Sequence, residues 1–360
     1  MQEYVMGNGA IALGALAAGV NLVAGYPGTP SSEILETISK YRHDGVYIEW
    51  SVNEKAAMEV AAAAAYSGAR AMVTMKQVGL NVAADPLMSL AYVGVKGGMV
   101  IVSADDPGPI SSQTEQDTRR FADFCRIPVF DPSSPEEAYK MIGEAFEYSE
   151  KYNTPVLFRP TTRVCHAYAS IDNCDSPSPK KYEGFVKDSK KWVIFPRLSF
   201  ANHIMIEKRN VEIGKDFSTY SANKAEGVNS EKAVVTSGIS YAYTKECLKD
   251  YTDVKLIKIA TAYPFPEDFV LSSLEGAKEV LCIEELSPFI EEQILKLAGK
   301  HGLQLKVSGK LDGKVQAGGE NSTDKIAAIL GEFLGKDFTA DGYDLSDAPA
   351  LPVRPPVPVS

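Results

Sequence analysis

Short runs of β-branched and apolar residues alternate with helix-length segments along the first part of the chain. The runs are NLVAGYP, VYIEWSV, ARAMVTMK, GGMVIVSADD, IPVFDP and PVLFRPTT. Strands separated by helices predict βα units on a parallel sheet. We therefore expect an α/β fold with a doubly wound parallel sheet over residues 1–170, opened by a helix over the apolar stretch at its start.

A second, smaller α/β pattern follows a polar interval. Residues 171–230 are rich in Lys, Ser, Asn and Pro, and only FANHIMIEKRNVEI has helical periodicity, so we interpret them as a linker and helical connector. Strand and helix patterns resume at KAVVTSGIS and continue to GLQLKVSG, which predicts a second domain over 231–335. The proline-rich end, 336–360, is expected to be extended.

Composition narrows the possible partners. The 360 residues are 45% hydrophobic and 23% charged, which is typical of a globular chain with room for two cores. The net charge of −10 argues against nucleic acid or an anionic membrane as a main partner. Five widely spaced cysteines without a C-x-x-C pair favour a reducing cytoplasm and argue against a metal or iron–sulfur site on this chain.

The loop GYPGTPSSEI follows a strand and opens a helix. Backbone N–H groups and hydroxyls at such a helix start suit a carboxylate or phosphate, which makes Gly28, Thr29, Ser31 and Ser32 candidates for anion binding. A proline-bounded turn in which Ser31 or Ser32 caps the helix is locally at least as good an interpretation.

The stretch EWSVNEKAAMEVAAAAAYSGARA places Asn53 and Glu54 directly before an alanine-rich helix. Taken alone, the pair indicates a helix start, with Asn53 as the N-cap and Glu54 facing the positive end of the helix dipole. The neighbouring segments favour a second role for Glu54. A strand ending in Thr-Met-Lys, a G-x-N turn, a helix ending in Ala-Tyr and a strand running into DDPGP come next.

This order of elements resembles the pyrimidine-binding domain of thiamine diphosphate enzymes. GYPGTPSSEI, WSVNEKAA, VGLNVAADPLMSLAYVGVKGG and SSQTEQDTRRFA are similar to the alpha subunits of indolepyruvate:ferredoxin oxidoreductases, and more distantly to other 2-oxoacid:ferredoxin oxidoreductases. The resemblance is strong over 1–170. It is weaker over 230–335, where TAYPFPEDF and CIEELSPFIEEQI resemble a transketolase-C-terminal-like domain.

The resemblance assigns Glu54 as the catalytic group that shares a proton with N1′ of the thiamine pyrimidine, and so activates the cofactor's own amino group. It also implies two further sets of site residues. The cofactor-binding set is Gly28, Asn53, Glu54, Gly79 and Asn81. The substrate-binding set is Thr29, Ser31, Ser32, Ser111, Ser112, Gln113 and Arg119.

Arg119 has two interpretations. Its guanidinium is suited to bind the substrate carboxylate bidentately. Equally, it is suited to a solvated helix face, paired with Glu115 or Asp117.

Two parts of the resembling enzymes are missing from this sequence. There is no G-D-G motif for Mg²⁺ and the cofactor's diphosphate, and there is no cysteine-rich ferredoxin-like tail. The resemblance therefore implies thiamine diphosphate shared with another domain or subunit, with Mg²⁺, iron–sulfur clusters and coenzyme A elsewhere in the complex. The implied partners are a diphosphate-binding domain or subunit, a beta (gamma-type) subunit, ferredoxin and a second copy of the chain.

Two kinds of function are compatible with this pattern. The first is a component of a 2-oxoacid:ferredoxin oxidoreductase that converts an arylpyruvate such as indolepyruvate to an acyl-CoA, with pyruvate or 2-oxoglutarate as alternative substrates. The second is a non-catalytic binding or scaffold module that keeps the fold. Glu54 favours the enzyme, because a module without catalysis has no use for a carboxylate at an apolar helix start.

Overall fold

The computed structural model describes residues 2–42, 44–172 and 179–338. Its strands are β1 (Gln2–Met6), β2 (Leu22–Gly25), β3 (Tyr47–Trp50), β4 (Ala71–Lys76), β5 (Met99–Ala104), β6 (Val129–Phe130), β7 (Val156–Phe158), β8 (Tyr168–Asp172), β9 (Lys224–Glu226), β10 (Lys232–Ser237), β11 (Lys255–Ile259), β12 (Glu279–Ile283) and β13 (Lys306–Ser308). Its helices are α1 (Gly7–Ala17), α2 (Ser32–Tyr41), α3 (Glu54–Tyr66), α4 (Gln77–Val82), α5 (Ala84–Val93), α6 (Thr118–Cys125), α7 (Pro135–Tyr152), α8 (Thr162–His166), α9 (Ser189–Trp192), α10 (Pro196–Ser218), α11 (Gly238–Cys247), α12 (Glu267–Ser273), α13 (Phe289–His301) and α14 (Thr323–Leu334).

The larger sheet is parallel throughout, with the strand order β3-β2-β4-β5-β7-β6. Successive side chains of β5 pack into two different hydrophobic clusters. Met99 and Ile101 lie in the cluster that contains α3, α5 and α6, whereas Val100 and Val102 lie in the cluster that contains α1, α2 and α7. Because successive strand residues point to opposite faces, helices cover both sides of the sheet. The doubly wound fold predicted from the sequence is confirmed.

The smaller sheet has the order β13-β12-β10-β11-β9. Its strands are parallel except β9, which runs antiparallel to β11 at one edge. Helices α12 and α13 pack on one face, and α11 and α14 pack on the other. This sheet is the second α/β unit that the resumed strand pattern predicts.

The two sheets meet through main-chain hydrogen bonds and a shared apolar core. The amide of Val129 on β6 donates to the carbonyl of Tyr263 at 2.7 Å, and the amide of Asp131 donates to the carbonyl of Ala260 at 2.8 Å. One continuous cluster of buried residues runs from α3 through α6 to Tyr263 and Phe265 beside the smaller sheet. The two units are therefore joined by backbone and core contacts together.

Two sequence expectations change in detail. The opening residues Gln2–Met6 form β1, which pairs antiparallel with β8, so the first helix begins only at Gly7. The interval predicted as linker and connector contributes the end of β8 together with α9, α10 and β9. The boundaries at 170, 230 and 335 stay predictions, and the proline-rich tail lies almost wholly outside the described residues.

None of the helices in the described ranges has the length and apolarity needed to cross a bilayer.

Candidate functional site

The loop between β2 and α2 is held mainly by its own serines. The hydroxyl of Ser31 donates to the carbonyl of Gly28 at 2.9 Å, and the amide of Gly28 donates to the hydroxyl of Ser32 at 2.8 Å. Ser31 is 1% exposed, so its side chain shapes the loop and faces away from any ligand in solvent. Thr29 at the tip is exposed, and within the described ranges its hydroxyl has no hydrogen-bond partner.

Asn53 caps α3 as the sequence predicts. It has an extended backbone, and its side-chain oxygen accepts a hydrogen bond from the amide of Ala56 at 2.9 Å. The helix then buries its alanines against the sheet, so that α3 lies close to β2 and β4. The local reason for a polar residue at position 53 is therefore the helix start itself.

Glu54 occupies the first position of α3 and is 8% exposed. Its carboxylate makes no hydrogen bond or ion pair within the described part of the chain. Gly79 on α4 packs directly over it: a Cβ at position 79 would lie 2.6 Å from Oε1 and 2.7 Å from Cγ of Glu54. A larger residue at position 79 would therefore displace the Glu54 carboxylate from its present position.

The segment that follows β4 is helical rather than a G-x-N turn. Gln77–Val82 form α4, and Asn81 is exposed, with its amide donating to Oε1 of Gln116 at 3.1 Å. Lys76, the last residue of β4, lies across the β2–α2 loop: a Cβ at Gly28 would be 3.1–3.4 Å from the Cδ, Cγ and Cε atoms of Lys76. No carboxylate among the described residues pairs with the Lys76 ammonium.

The loop after β5 is tied to α4. Gln77 is fully buried, and its amide donates to the carbonyl of Thr114 at 3.1 Å. The hydroxyl of Ser112 donates weakly to the side-chain oxygen of Gln77 at 3.5 Å, and the amide of Ser111 donates to Asp106 at 2.7 Å. Gln113 is exposed at the tip of the loop.

Arg119 is neither solvated nor available to a substrate. Its side chain is fully buried, and Nε and Nη2 bind Asp117 at 2.9 Å and 2.7 Å. Nη1 donates to Glu284 at 2.8 Å, and Nη2 also donates to the carbonyl of Glu285 at 2.9 Å. The expected pairing with Asp117 is present, but Glu115 instead accepts from backbone amides. The predicted solvated helix-face environment is wrong, because α6 packs against the smaller sheet.

Buried charges continue from Arg119 into the interface between the sheets. Burial works to raise the pKa of Asp117, but the charge and hydrogen bonds of Arg119, together with the charge of Arg159, outweigh it and hold that pKa at about 2. Burial raises the pKa of Asp105 to about 6, although Arg159 binds it at 2.7 Å, and burial raises the pKa of Glu285 to about 7. The interface between the sheets therefore carries acids that titrate near neutrality.

The segment from Lys76 to Asn81 connects the predicted site. It touches the β2–α2 loop through Gly28, the helix α3 through Glu54, and the loop after β5 through Ser112 and Gln116. These groups meet at the carboxyl ends of parallel strands, where ligands bind in open α/β sheets. Among the described residues, the arrangement offers an unpaired carboxylate at Glu54, beside Gly79, and an unpaired ammonium at Lys76, beside Gly28.

Sequence reasoning did not select Lys76 or Gln77 as site residues. The available signal for Lys76 was a basic residue closing a strand, VTMK, directly opposite the glycine-containing loop. Gln77 gave no separate signal, because its burial depends on the loop of residues 111–116 lying above it.

Comparison with known proteins places the chain in a family. Residues 13–227 match the family model described as pyruvate flavodoxin/ferredoxin oxidoreductase, thiamine diphosphate-binding. The indolepyruvate oxidoreductase subunit IorA of Thermococcus kodakarensis is 40% identical over 98% of this chain and 56% of its own length. The IorA of Methanothermobacter thermautotrophicus is 39% identical over 98% of this chain and 57% of its own length.

The fold has a solved counterpart. The 2-oxoglutarate:ferredoxin oxidoreductase of Magnetococcus marinus, determined with 2-oxoglutarate, coenzyme A and succinyl-CoA bound, matches with a TM-score of 0.73 at 17% identity. The match covers 92% of this chain and 65% of that one. This chain spans just over half the length of the IorA relatives. Since the family model covers more than half of the chain, the chain belongs to the pyruvate flavodoxin/ferredoxin oxidoreductase family, thiamine diphosphate-binding.

Proposed function

We propose that the chain is the pyrimidine-binding component of a thiamine diphosphate-dependent 2-oxoacid:ferredoxin oxidoreductase. The observation that carries this proposal is the position of Glu54, which is 8% exposed, has no hydrogen-bond partner for its carboxylate in the described structure and packs against Gly79. A carboxylate that no protein group binds is available to a donor on a ligand. An N–H or ring nitrogen that shares a proton with the carboxylate is such a donor.

The residues present fit the pyrimidine half of the cofactor. The absence of a side chain at Gly79 lets the Glu54 side chain lie against α4, since a Cβ at position 79 would meet the carboxylate. When bound, thiamine diphosphate supplies the nucleophilic carbon that adds to the carbonyl of a 2-oxoacid. Glu54 would hold the proton shared with the pyrimidine ring.

Lys76 and the β2–α2 loop are suited to hold the carboxylate of the oxoacid. The ammonium is unpaired within the described ranges and its stem lies on Gly28, the residue before the exposed Thr29. A lysine held at a strand end offers a point charge to an anion. We therefore assign substrate binding to Thr29 and Lys76, and we assign Arg119 a structural role. Ser111, Ser112 and Gln113 remain candidates on the neighbouring loop.

The diphosphate half of the cofactor requires another domain or subunit, because the sequence contains no G-D-G motif. Mg²⁺, the iron–sulfur clusters and coenzyme A would bind there or on the other partners, the beta (gamma-type) subunit and ferredoxin.

Trp50 and Val52, 41% and 84% exposed, flank the start of α3 and give a partner or a second copy an apolar contact. The buried thiols of Cys125, Cys165 and Cys282 are compatible with the cytoplasm.

The substrate we propose is an arylpyruvate, because the relatives at about 40% identity are named indolepyruvate oxidoreductases. The test uses the chain assembled with its copurifying partners, thiamine diphosphate, Mg²⁺ and coenzyme A. Reduction of ferredoxin should depend on indolepyruvate, and kcat/KM should be lower for pyruvate and 2-oxoglutarate. Preference for either of those acids would replace the substrate. Absence of turnover with all three, in an assembled complex, would leave the non-catalytic module as the function.

A further inference from the structure

A basic cavity lies at the edge of the larger sheet opposite the Glu54 site. It has a volume of about 650 Å³ and is bounded by the ends of α5 and α7 and by one side of α9 and α10. Its basic lining residues are Lys151, Lys190, Lys191, Lys208 and Arg209. Helices α5 and α7 end here, whereas α3 begins at the carboxyl edge, so the cavity is separate from the candidate active site.

Most of this positive charge is not neutralised by residues of the described ranges. Lys151 pairs with Asp216, and the lining carboxylate Glu212 pairs with Lys215. Lys191 lies 4.5 Å above the ring of Trp192, and no carboxylate in the described structure pairs with it. Lys190 and Lys208 likewise have no acidic partner in the described ranges. The cavity therefore has a clear excess of positive charge.

Arg209 is the most informative member of the set. Its Nε atom is buried and has no hydrogen-bond partner among the described residues. Its one hydrogen bond is a long contact of 3.4 Å from Nη2 to the carbonyl of Arg126. Burial lowers the pKa of Arg209 to about 10, and no carboxylate of the described residues pairs with it. A guanidinium held in this way is short of an acceptor.

The ends of α5 and α7 explain only part of this charge. Lysines near helix C-termini complement the helix dipole, which accounts for Lys151 at the end of α7. Arg209 lies in the middle of α10, away from a helix end, so the dipole does not account for it. Tyr92 and Met205 add an apolar wall to the cavity.

We propose that this cavity binds a phosphorylated ligand of nucleotide size. The phosphate would be bound by Arg209 and Lys208, since a guanidinium can donate two parallel hydrogen bonds to phosphate oxygens. The ring of Tyr92 would contact the organic part of the ligand. The site does not depend on the proposed function, because none of its residues lies at the Glu54 edge.

Calorimetry with ADP, inorganic pyrophosphate and adenosine, using the 360-residue chain, tests this proposal. ADP should bind, and adenosine should bind at least roughly tenfold more weakly, because the phosphates supply the charge-assisted contacts. Pyrophosphate binding as tightly as ADP would identify the ligand as a free phosphate compound, whereas weaker binding would identify a nucleotide. If neither ADP nor pyrophosphate binds at millimolar concentration, the proposal is overturned.

Variants locate the site. Arg209→Gln should weaken ADP binding by roughly tenfold or more, and Lys208→Gln should weaken it by a smaller factor. The matched control is Lys300→Gln, which removes one exposed positive charge that pairs with Glu267 on the other sheet. Thermal melts identify a variant that fails to fold, and Lys208→Gln then still tests the cavity. Equal ADP binding by the wild type and a folded variant of Arg209 or Lys208 would place the ligand elsewhere.

Discussion

The two sheets each place a glutamate at a strand-to-helix junction, with opposite treatment of its carboxylate. Glu284 follows β12, is 1% exposed, and accepts hydrogen bonds from Arg119 at 2.8 Å and from the amides of Ile290 and Glu291 at 3.0 Å. Glu54 starts α3, is 8% exposed, and accepts none within the described structure. The carboxylate of Glu284 is therefore hydrogen-bonded by the protein, whereas that of Glu54 has no donor among the described residues.

Both residues are glutamates of low exposure, so residue type and burial do not distinguish their roles. The number of hydrogen-bond donors does distinguish a structural carboxylate from a functional one. A buried carboxylate that is fully hydrogen-bonded holds its neighbours in place. Removing its cationic partner destabilises the fold, because a buried charge is then left uncompensated. A buried carboxylate without partners gains most when a ligand arrives. Stability should therefore respond to changes around Glu284, whereas activity should respond to changes at Glu54.

The largest expected effect is on stability. Arg119→Met should lower the free energy of unfolding by about 3–5 kcal/mol, because it leaves the carboxylates of Asp117 and Glu284 buried without their cation. Arg120→Met is the matched control: Arg120 pairs with Glu292 at a half-exposed position, so the loss should be about 1 kcal/mol or less. Denaturant unfolding measures both. Similar losses for the two variants would contradict the structural role assigned to Arg119.

The next effect is on catalysis. Glu54→Gln in the assembled complex should lower turnover by about 10²-fold, the usual scale for losing a positioned proton-transfer group, with stability nearly unchanged. Glu136→Gln, at the first turn of α7 and exposed, should leave both properties unchanged. Near-normal turnover of Glu54→Gln would reduce Glu54 to a helix-start residue and remove the main support for the thiamine-dependent function.

A smaller effect depends on pH. Folding raises the pKa of Glu285 to about 7 and that of Asp105 to about 6, so the folded state binds more protons than the unfolded state below those values. The free energy of unfolding should therefore decrease as the pH rises from about 4 to about 7. Glu285→Gln should flatten the upper part of that slope. Thermal melts at several pH values measure it, and a slope of opposite sign in the wild type would refute this linkage.

The smallest effect distinguishes a cap from a cofactor contact. Asn53→Ala should cost about 1 kcal/mol of stability through loss of the hydrogen bond from Ala56 and should leave turnover within about twofold. A much larger loss of turnover than of stability would support the cofactor-binding role that the family resemblance gives Asn53. Unfolding curves and steady-state kinetics on the same preparation separate the two outcomes.

The sequence predicted the central strands well, because each is a β-branched run between turn residues that becomes buried on both faces. It missed β1, β8 and β9, which are short antiparallel strands with many exposed positions and no continuous apolar run. It also predicted a turn at Gln77–Val82, where the structure has a helix. Local pattern is weakest where an element depends on a partner far along the chain.

The candidate site shows the same limit. Asn53 and Glu54 could be identified from their own segment, because the cap and the alanine helix are local features. The environment of Arg119 could not, since its partner Glu284 lies on the other sheet. The contact between Gly79 and Glu54 depends on how α3 and α4 pack. Charge pairing and close approach across the fold are set by tertiary geometry, which residue spacing does not encode.

The pairing of β1 with β8 constrains the order in which the chain can form during synthesis. The register joins Gln2 to Asp172 and Met6 to Tyr168, so β1 has no partner until β8 has been synthesised. At about 5–20 residues per second, that interval lasts roughly 10 to 30 seconds. The last strand of the six-stranded sheet to be synthesised, β7, ends at Phe158, shortly before β8 begins at Tyr168, so β1 gains its partner just after that sheet has all of its strands.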